Sequence, residues 1–182
     1  MKYYIAILCF IAFSIPVSAQ QKMYIKIDGI DGESPDLAHK NWIDAYAYSG
    51  GLTQSGSTHT GGGGGAGKAN FQDYTFTICL DKSVNAMKVA LAKGTHIPSV
   101  TVEFVKDYNG YSFTYSKIKM ETVLISSIIE GASTDINKIN INVSFNYAKL
   151  FCTYRIFNPG DPGNPKEVTF GWDVATNVAL KF

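Results

Sequence analysis

From Lys22 onward the sequence alternates apolar and polar residues with a period of two, and no other feature constrains its fold as tightly. In "NFQDYTFTICL", Asn70 to Leu80, the residues Tyr74, Phe76, Ile78 and Leu80 fall on one side and Thr75, Thr77 and Cys79 on the other. Successive side chains of a strand point to opposite faces of a sheet, so this pattern predicts a strand with one face buried. The same period runs through "KMYIKIDGI" (Lys22 to Ile30), "WIDAYAYSG" (Trp42 to Gly50) and "SVTVEFVK", where Val100, Val102 and Phe104 share a side. "YNGY" at Tyr108 to Tyr111 carries Asn-Gly, which supplies the positive φ angles of a two-residue hairpin. The return strand, Tyr111 to Ile129, is too long for one sheet, and its apolar register shifts near Thr122-Val123, so a bulge or a bend between sheets is expected there. A further long strand covers Asn140 to Phe157, approached from Ile139. "NPGDPGNP" is a loop, because its prolines lack ladder donors, and "EVTFGWDV" is a closing strand.

One helix interrupts the series. Ser83 is placed to cap it, Val84, Met87 and Leu91 form one stripe, and Gly94 ends it. The expectation is an all-β chain, a compact two-sheet β-barrel or sandwich with one short α-helix. There is no internal repeat and no second domain, and 182 residues suit a single one.

The first twenty residues, "MKYYIAILCFIAFSIPVSAQ", are of another kind. Lys2 precedes an apolar run from Ile5 to Ile15 that only Ser14 interrupts, Pro16 breaks it, and Val17-Ser18-Ala19 offers small residues for cleavage. This is the layout of a secretory signal peptide, and the run is short for an uncleaved membrane anchor. Residues 1–19 are read as the signal and 20–182 as one mature domain, secreted or periplasmic, with no membrane contact once mature.

The chain holds 16 Lys and Arg against 15 Asp and Glu. Removing Lys2 with the signal brings the two into balance. No basic cluster stands out, which argues against a nucleic-acid partner. Cys9 leaves with the signal. Of the remaining pair, Cys79 alternates with threonines and reads as outward-facing, whereas Cys152 alternates with Leu150, Tyr154 and Ile156 and reads as core. A bridge between them is open to an exported protein but is not expected.

"GGGGGAGKAN", Gly61 to Asn70, has the first part of a phosphate-binding loop, with Gly62, Gly67 and Lys68 in the pattern G-x-x-x-x-G-K. The hydroxyl that would hold magnesium is replaced by Ala69. The segment that follows alternates as a strand, where a helix N-terminus should face the phosphates. The nucleotide reading therefore fails. Five consecutive glycines suit a flexible loop, or backbone passing close to another surface, such as a neighbouring subunit.

His39, His59 and His96 lack metal-ligand spacing and read as lone surface or loop histidines. Asp28, Asp31 and Glu33 do not match a calcium loop. Ser57 near His59 has no partnered acid to make a hydrolase, a distant option. Asn142-Val143-Ser144 is a glycosylation triplet inside an expected strand, and Trp172 reads as a core or interface aromatic. No constellation speaks for catalysis and no cofactor is implied.

In their order, "MYIKIDGIDGES", "HTGGGGGAGKANFQDYTFT", "YSKIKMETVLISSI", "NVSFNYAKLFCTY" and "VTFGWDV" resemble the Hcp family, the tube protein of type VI secretion systems. The likeness runs from Lys22 to the C-terminus; Gly67-Lys68 followed by Asp73, and Phe170-Gly171-Trp172, are its most specific parts. It implies a β-barrel with a helix at its side and homohexameric rings that stack into a tube. It also implies a VgrG-type spike, a contractile sheath and small effector proteins as partners, and no active site. By the same analogy Gly61, Gly62, Gly63, Gly64, Gly65, Gly67 and Lys68 become self-assembly residues. The signal peptide departs from the family, whose members are exported by their own machine. It leaves an alternative open, an exported binding or adhesion module that reuses the fold outside a contractile tube.

Overall fold

The computed structural model describes residues 21–56, 67–108, 111–133, 136–156 and 165–181. The strands, in chain order, are β1 (Gln21–Ile27), β2 (Ile43–Ser49), β3 (Leu52–Thr53), β4 (Asn70–Phe71) and β5 (Tyr74–Cys79). After the helix α1 (Ser83–Lys93) come β6 (Ile97–Tyr108), β7 (Tyr111–Ser133), β8 (Ile136–Ile156), β9 (Lys166–Asp173) and β10 (Val178–Ala179). The main sheet has the order β10-β9-β8-β5-β2-β1-β6-β7, and β7 pairs again with β8. That second pairing closes six strands into a barrel and leaves β9 and β10 outside it. All pairings within this sheet are antiparallel. The expectation of a β-barrel with a short helix holds.

The barrel interior is built by the alternating residues. Phe76 and Ile78 of β5, Val100 and Val102 of β6, and Ile141, Val143 and Phe145 of β8 are all essentially without solvent exposure. Burying each such side chain contributes roughly 1.5–3 kcal/mol. The helix adds Val84 and Met87 to the same cluster. Leu80 departs from the expected stripe and is about half exposed, since β5 has already ended at Cys79.

The helix starts differently from expectation. Ser83 is its first residue and is buried, and the side chain that serves its N-terminus is Asp81, which accepts from both the backbone N–H and the hydroxyl of Ser83. Leu91 is partly exposed, so the buried stripe is Val84 and Met87. Gly94 ends the helix as expected, in the left-handed region at φ 61°, with Thr95 N–H bonded to the Ala90 carbonyl.

The register shift near Thr122 is real. Thr122 sits at φ 52°, in the left-handed region a threonine rarely adopts. Before it Ile118 and Met120 point inward, and after it Val123 and Ile125 do. The change of phase recurs on the partner strand, where Leu150 and Tyr147 are buried, with Glu121 opposite Lys149 and Val123 opposite Tyr147. A β7–β8 ribbon thus turns its buried side over at one point, and from there β8 parts from β5 and takes β9 as its other neighbour. Strands β6 and β7 pair through Tyr108 and Tyr111, so their connection is the expected two residues.

Candidate assembly surface

Of the glycine-loop residues, Gly61 to Gly65 lie outside the described residues, as do Ser57 and His59. Gly67 and Lys68 are described and exposed. The base of the loop is more ordered than a polar run implies. Leu52 pairs with Phe71 and Thr53 with Asn70, which makes β3 and β4 a two-stranded ribbon separate from the barrel. Gln54 donates from Nε2 to the Gly67 carbonyl at 2.6 Å, and Gln72 N–H donates to the Gly51 carbonyl at 3.0 Å. Strands β4 and β5 follow the glycine run where a nucleotide site would need a helix. Asp73 is tied down by Ser126 Oγ at 2.5 Å and Asn146 Nδ2 at 2.7 Å, which anchors the start of β5 to β7 and β8.

A second surface emerges beside this base. On β8 and β9 the register sets Tyr154 against Val168 and Cys152 against Phe170, so these residues share the face that lines the barrel interior further along. Beyond the barrel that face is only partly covered among the described residues: Tyr154, Ile156, Val168 and Phe170 are each about half exposed. Tyr154 and Ile156 keep the phase of Leu150 and Cys152, which points to the core, but β8 has left the barrel by then. The opposite face is charged and carries two ion pairs, Arg155 Nε on Glu167 and Lys119 on Glu121, each at 2.7 Å. Charges paired in this way need no partner, whereas an apolar strip is a candidate contact.

The far edge of β9 adds to this. Only Asp173 and Trp172 pair with β10, and Gly171 accepts from Leu180 N–H, so among the described residues the edge from Lys166 to Phe170 is unpaired. An unpaired edge is a template for a further strand or neighbour. Trp172 joins the two surfaces. It stacks on Phe71 at the loop base at 6.3 Å between ring centroids, and lies near-parallel to Phe170 at 6.5 Å. The indole is thus an interface between the loop ribbon and the sheet extension.

Cys79 and Cys152 are free. Cys79 pairs with Asn140 of β8, and Cys152 lies twelve residues further along that strand, far beyond disulfide reach. Burial pushes the Cys152 thiol up to about 11, so it is a poor nucleophile. Asn142 lies within β8 and accepts from Thr77 Oγ1, and His96 is exposed. His39 overturns the expectation of a surface histidine: it is 7% exposed and set between two carboxylates. Among the described residues no group of three or more histidine, cysteine or acidic side chains is placed to hold a metal, and no helix is long and apolar enough to cross a membrane.

The family model of the type VI secretion system effector Hcp matches residues 24–154, from β1 to the far part of β8. The chain belongs to the Hcp family. Protein hcp1 of Pseudomonas aeruginosa is 37% identical over 156 residues, which cover 86% of this chain and 96% of that protein. A solved type six secretion system protein matches with a TM-score of 0.80 at 25% identity, over 88% of this chain and 100% of its own. Hcp1 of Salmonella typhimurium, at 23% identity, shares the fold with a TM-score of 0.73 over 90% and 100% of the two chains. The Hcp likeness read from sequence is therefore correct, and it is that of a structural component of type VI secretion.

Proposed function

We propose that this Hcp protein is the ring-forming subunit of a type VI secretion tube and has no enzymatic activity. Six copies close into a ring, rings stack, and small effector proteins travel in the lumen behind a VgrG-type spike and inside a contractile sheath. The observation that carries this reading is the apolar strip Tyr154, Ile156, Val168 and Phe170 on an open sheet edge of a barrel that is otherwise closed. A ring needs heterologous contacts, one patch meeting a different patch on the next copy, and a sheet extension projecting from a compact barrel is suited to that geometry. The base of the glycine loop, the ribbon β3–β4, meets the strip through Phe71 on Trp172, and Gly61, Gly62, Gly63, Gly64, Gly65, Gly67 and Lys68 are assembly contacts in this scheme. Equal numbers of acidic and basic residues in the mature chain limit repulsion among many copies.

The signal-like residues 1–19 favour a second reading, an exported binding or adhesion module on the Hcp fold. Native mass spectrometry of the protein expressed from Met1 separates the two, because one spectrum gives chain mass and chain number. Six chains retaining Met1 fit a ring made in the cytoplasm. Six beginning at Gln20 fit an exported ring, and single chains beginning there fit the module. Val168→Glu places a charge in the strip and is expected to convert rings to monomers with an unchanged far-UV spectrum; rings that persist would remove the strip from the interface. Gly64→Trp tests the loop in the same assay.

A further inference from the structure

The segment between β1 and β2, residues 28–42, folds back over the outside of the barrel. Its turns are held by its own backbone, Gly32 N–H to Asn41 and Ser34 N–H to Trp42, at 2.8 and 2.9 Å. Its side-chain ties to the barrel around His39 are of another kind. The imidazole stacks on Tyr24 of β1 at 4.0 Å and 6°, and Trp42 meets it edge-on at 4.9 Å. Nδ1 faces Asp36 Oδ1 at 2.9 Å and Nε2 faces Glu103 Oε2 of β6 at 3.2 Å. Tyr24 donates its hydroxyl to the other oxygen of Asp36 at 3.2 Å.

A neutral imidazole has one N–H and one lone pair. With a carboxylate oxygen at each nitrogen, only the ring that carries both protons donates to both. The neutral ring turns a lone pair on one of the two acids. Both ring nitrogens face acids, and the bases stand further out. Asp36 lies on the ring's own loop and Glu103 on β6, whereas from β7 Thr114 Oγ1 and Lys117 Nζ approach Glu103 at 3.0 and 3.2 Å. Lys26 sits over the Trp42 ring at 6.0 Å, and Lys40 is exposed. The hydrogen bond from His39 holds the Asp36 carboxyl below its usual value. Burial would raise Glu103, but the bonds from His39, Lys117 and Thr114 outweigh it and leave it lowered.

We propose that Asp36, His39 and Glu103 form a proton-dependent latch that fastens the 28–42 loop to β6 and so governs how that loop is presented. The latch is complete only while the ring holds both protons and the two carboxylates hold none. What it presents is specific: Leu37, next to Asp36 in the chain, is 97% exposed, with Asp31 and Glu33 also exposed on the same loop. An apolar contact would hold a loop at less desolvation cost than a buried ionic cluster, which instead supplies a defined geometry and a response to pH. A single chain would latch in the same way, so the inference does not rest on ring formation.

The test is a pH titration of the full chain with 15N-labelled histidine. Long-range 1H–15N spectra read the protonation of each ring nitrogen of His39, and amide exchange, corrected for its intrinsic pH dependence, reads the opening of residues 34–42. Both nitrogens are expected to carry protons wherever the loop is protected. Loss of the second proton should cut protection by about ten-fold or more, the loss of one charge-assisted bond, over the pH interval that ends where the ring of the closed loop deprotonates. A single-proton tautomer in a protected loop, or protection that stays constant across the ring's titration, overturns the latch. Glu103→Gln keeps an acceptor but removes its charge and should move the ring's deprotonation to lower pH; an unmoved midpoint also overturns it. The wild-type titration decides the matter even if that variant does not fold.

Discussion

Gly32→Ala adds one methyl at the tightest backbone approach in the 28–42 loop. A Cβ there would lie 2.3 Å from the carbonyl oxygen of Trp42, 2.7 Å from its carbonyl carbon and 2.6 Å from Cγ1 of Ile43. Neither neighbour has freedom to give way. Ile43 is 2% exposed and opens β2 in register with Ile25 of β1, so moving it disturbs the barrel wall. The loop must lift instead, which breaks Gly32 N–H to Asn41 and Ser34 N–H to Trp42. Two backbone hydrogen bonds are worth about 1 kcal/mol each and overpacking adds roughly 1–3 kcal/mol. The lower freedom of alanine in the unfolded chain returns about 0.4–1 kcal/mol. The net loss is about 2–5 kcal/mol, a fall of roughly 1–2.5 M in the urea midpoint at an unchanged slope of about 2 kcal/mol/M. Tryptophan fluorescence, with Trp42 beside the substitution, is a direct probe, and both proteins must be compared at one concentration because assembly stabilises the folded state. A loss below about 0.5 kcal/mol, within the range of an ordinary surface substitution, would show that the backbone there is not confined as described.

Thr122→Gly should stabilise. A left-handed threonine costs about 1–2 kcal/mol, and glycine's greater freedom when unfolded takes back roughly 0.5–1 kcal/mol, so a gain of up to about 1.5 kcal/mol and a Tm a few degrees higher are expected. A loss of that size would mean that the threonine side chain, not the backbone turn, matters at the ribbon crossover. On the acid side, Asp36 and Glu103 both have folded values below their ordinary ones, so the stability they contribute is present above that ordinary carboxylate range and is lost as pH falls through the folded values. Urea midpoints measured downward from about pH 5 should therefore fall, and Glu103→Gln should make that fall shallower; an identical slope would detach Glu103 from acid unfolding.

Much of the barrel was legible because burial on one face of a strand leaves a local signature. Tyr74, Phe76 and Ile78 were assigned inward from period alone, and the break in phase at Thr122 was visible as two apolar residues out of step. The helix end at Gly94 was equally local. Its start was not, because Asp81 and Ser83 are both ordinary capping residues and only the backbone shows which one accepts. The assembly strip is not legible for a related reason. Tyr154 and Ile156 continue Leu150's phase, and an apolar residue on a strand looks the same whether a barrel interior or a neighbouring copy covers it. The His39 cluster gave no sequence signal at all, since Glu103 stands 64 residues away.

The sequence by itself determined the long strands, most of their inward faces, a short helix and its end, and the family, since period, turn chemistry and motif order are properties of neighbouring residues. Tertiary structure alone decided that β7 closes on β8, that β8 outruns the barrel and carries β9 with it, and that His39 meets two acids across the loop. Those are long-range pairings. An alternating strand specifies which face is apolar but not what will cover it, and closure of the barrel is what leaves part of that face uncovered.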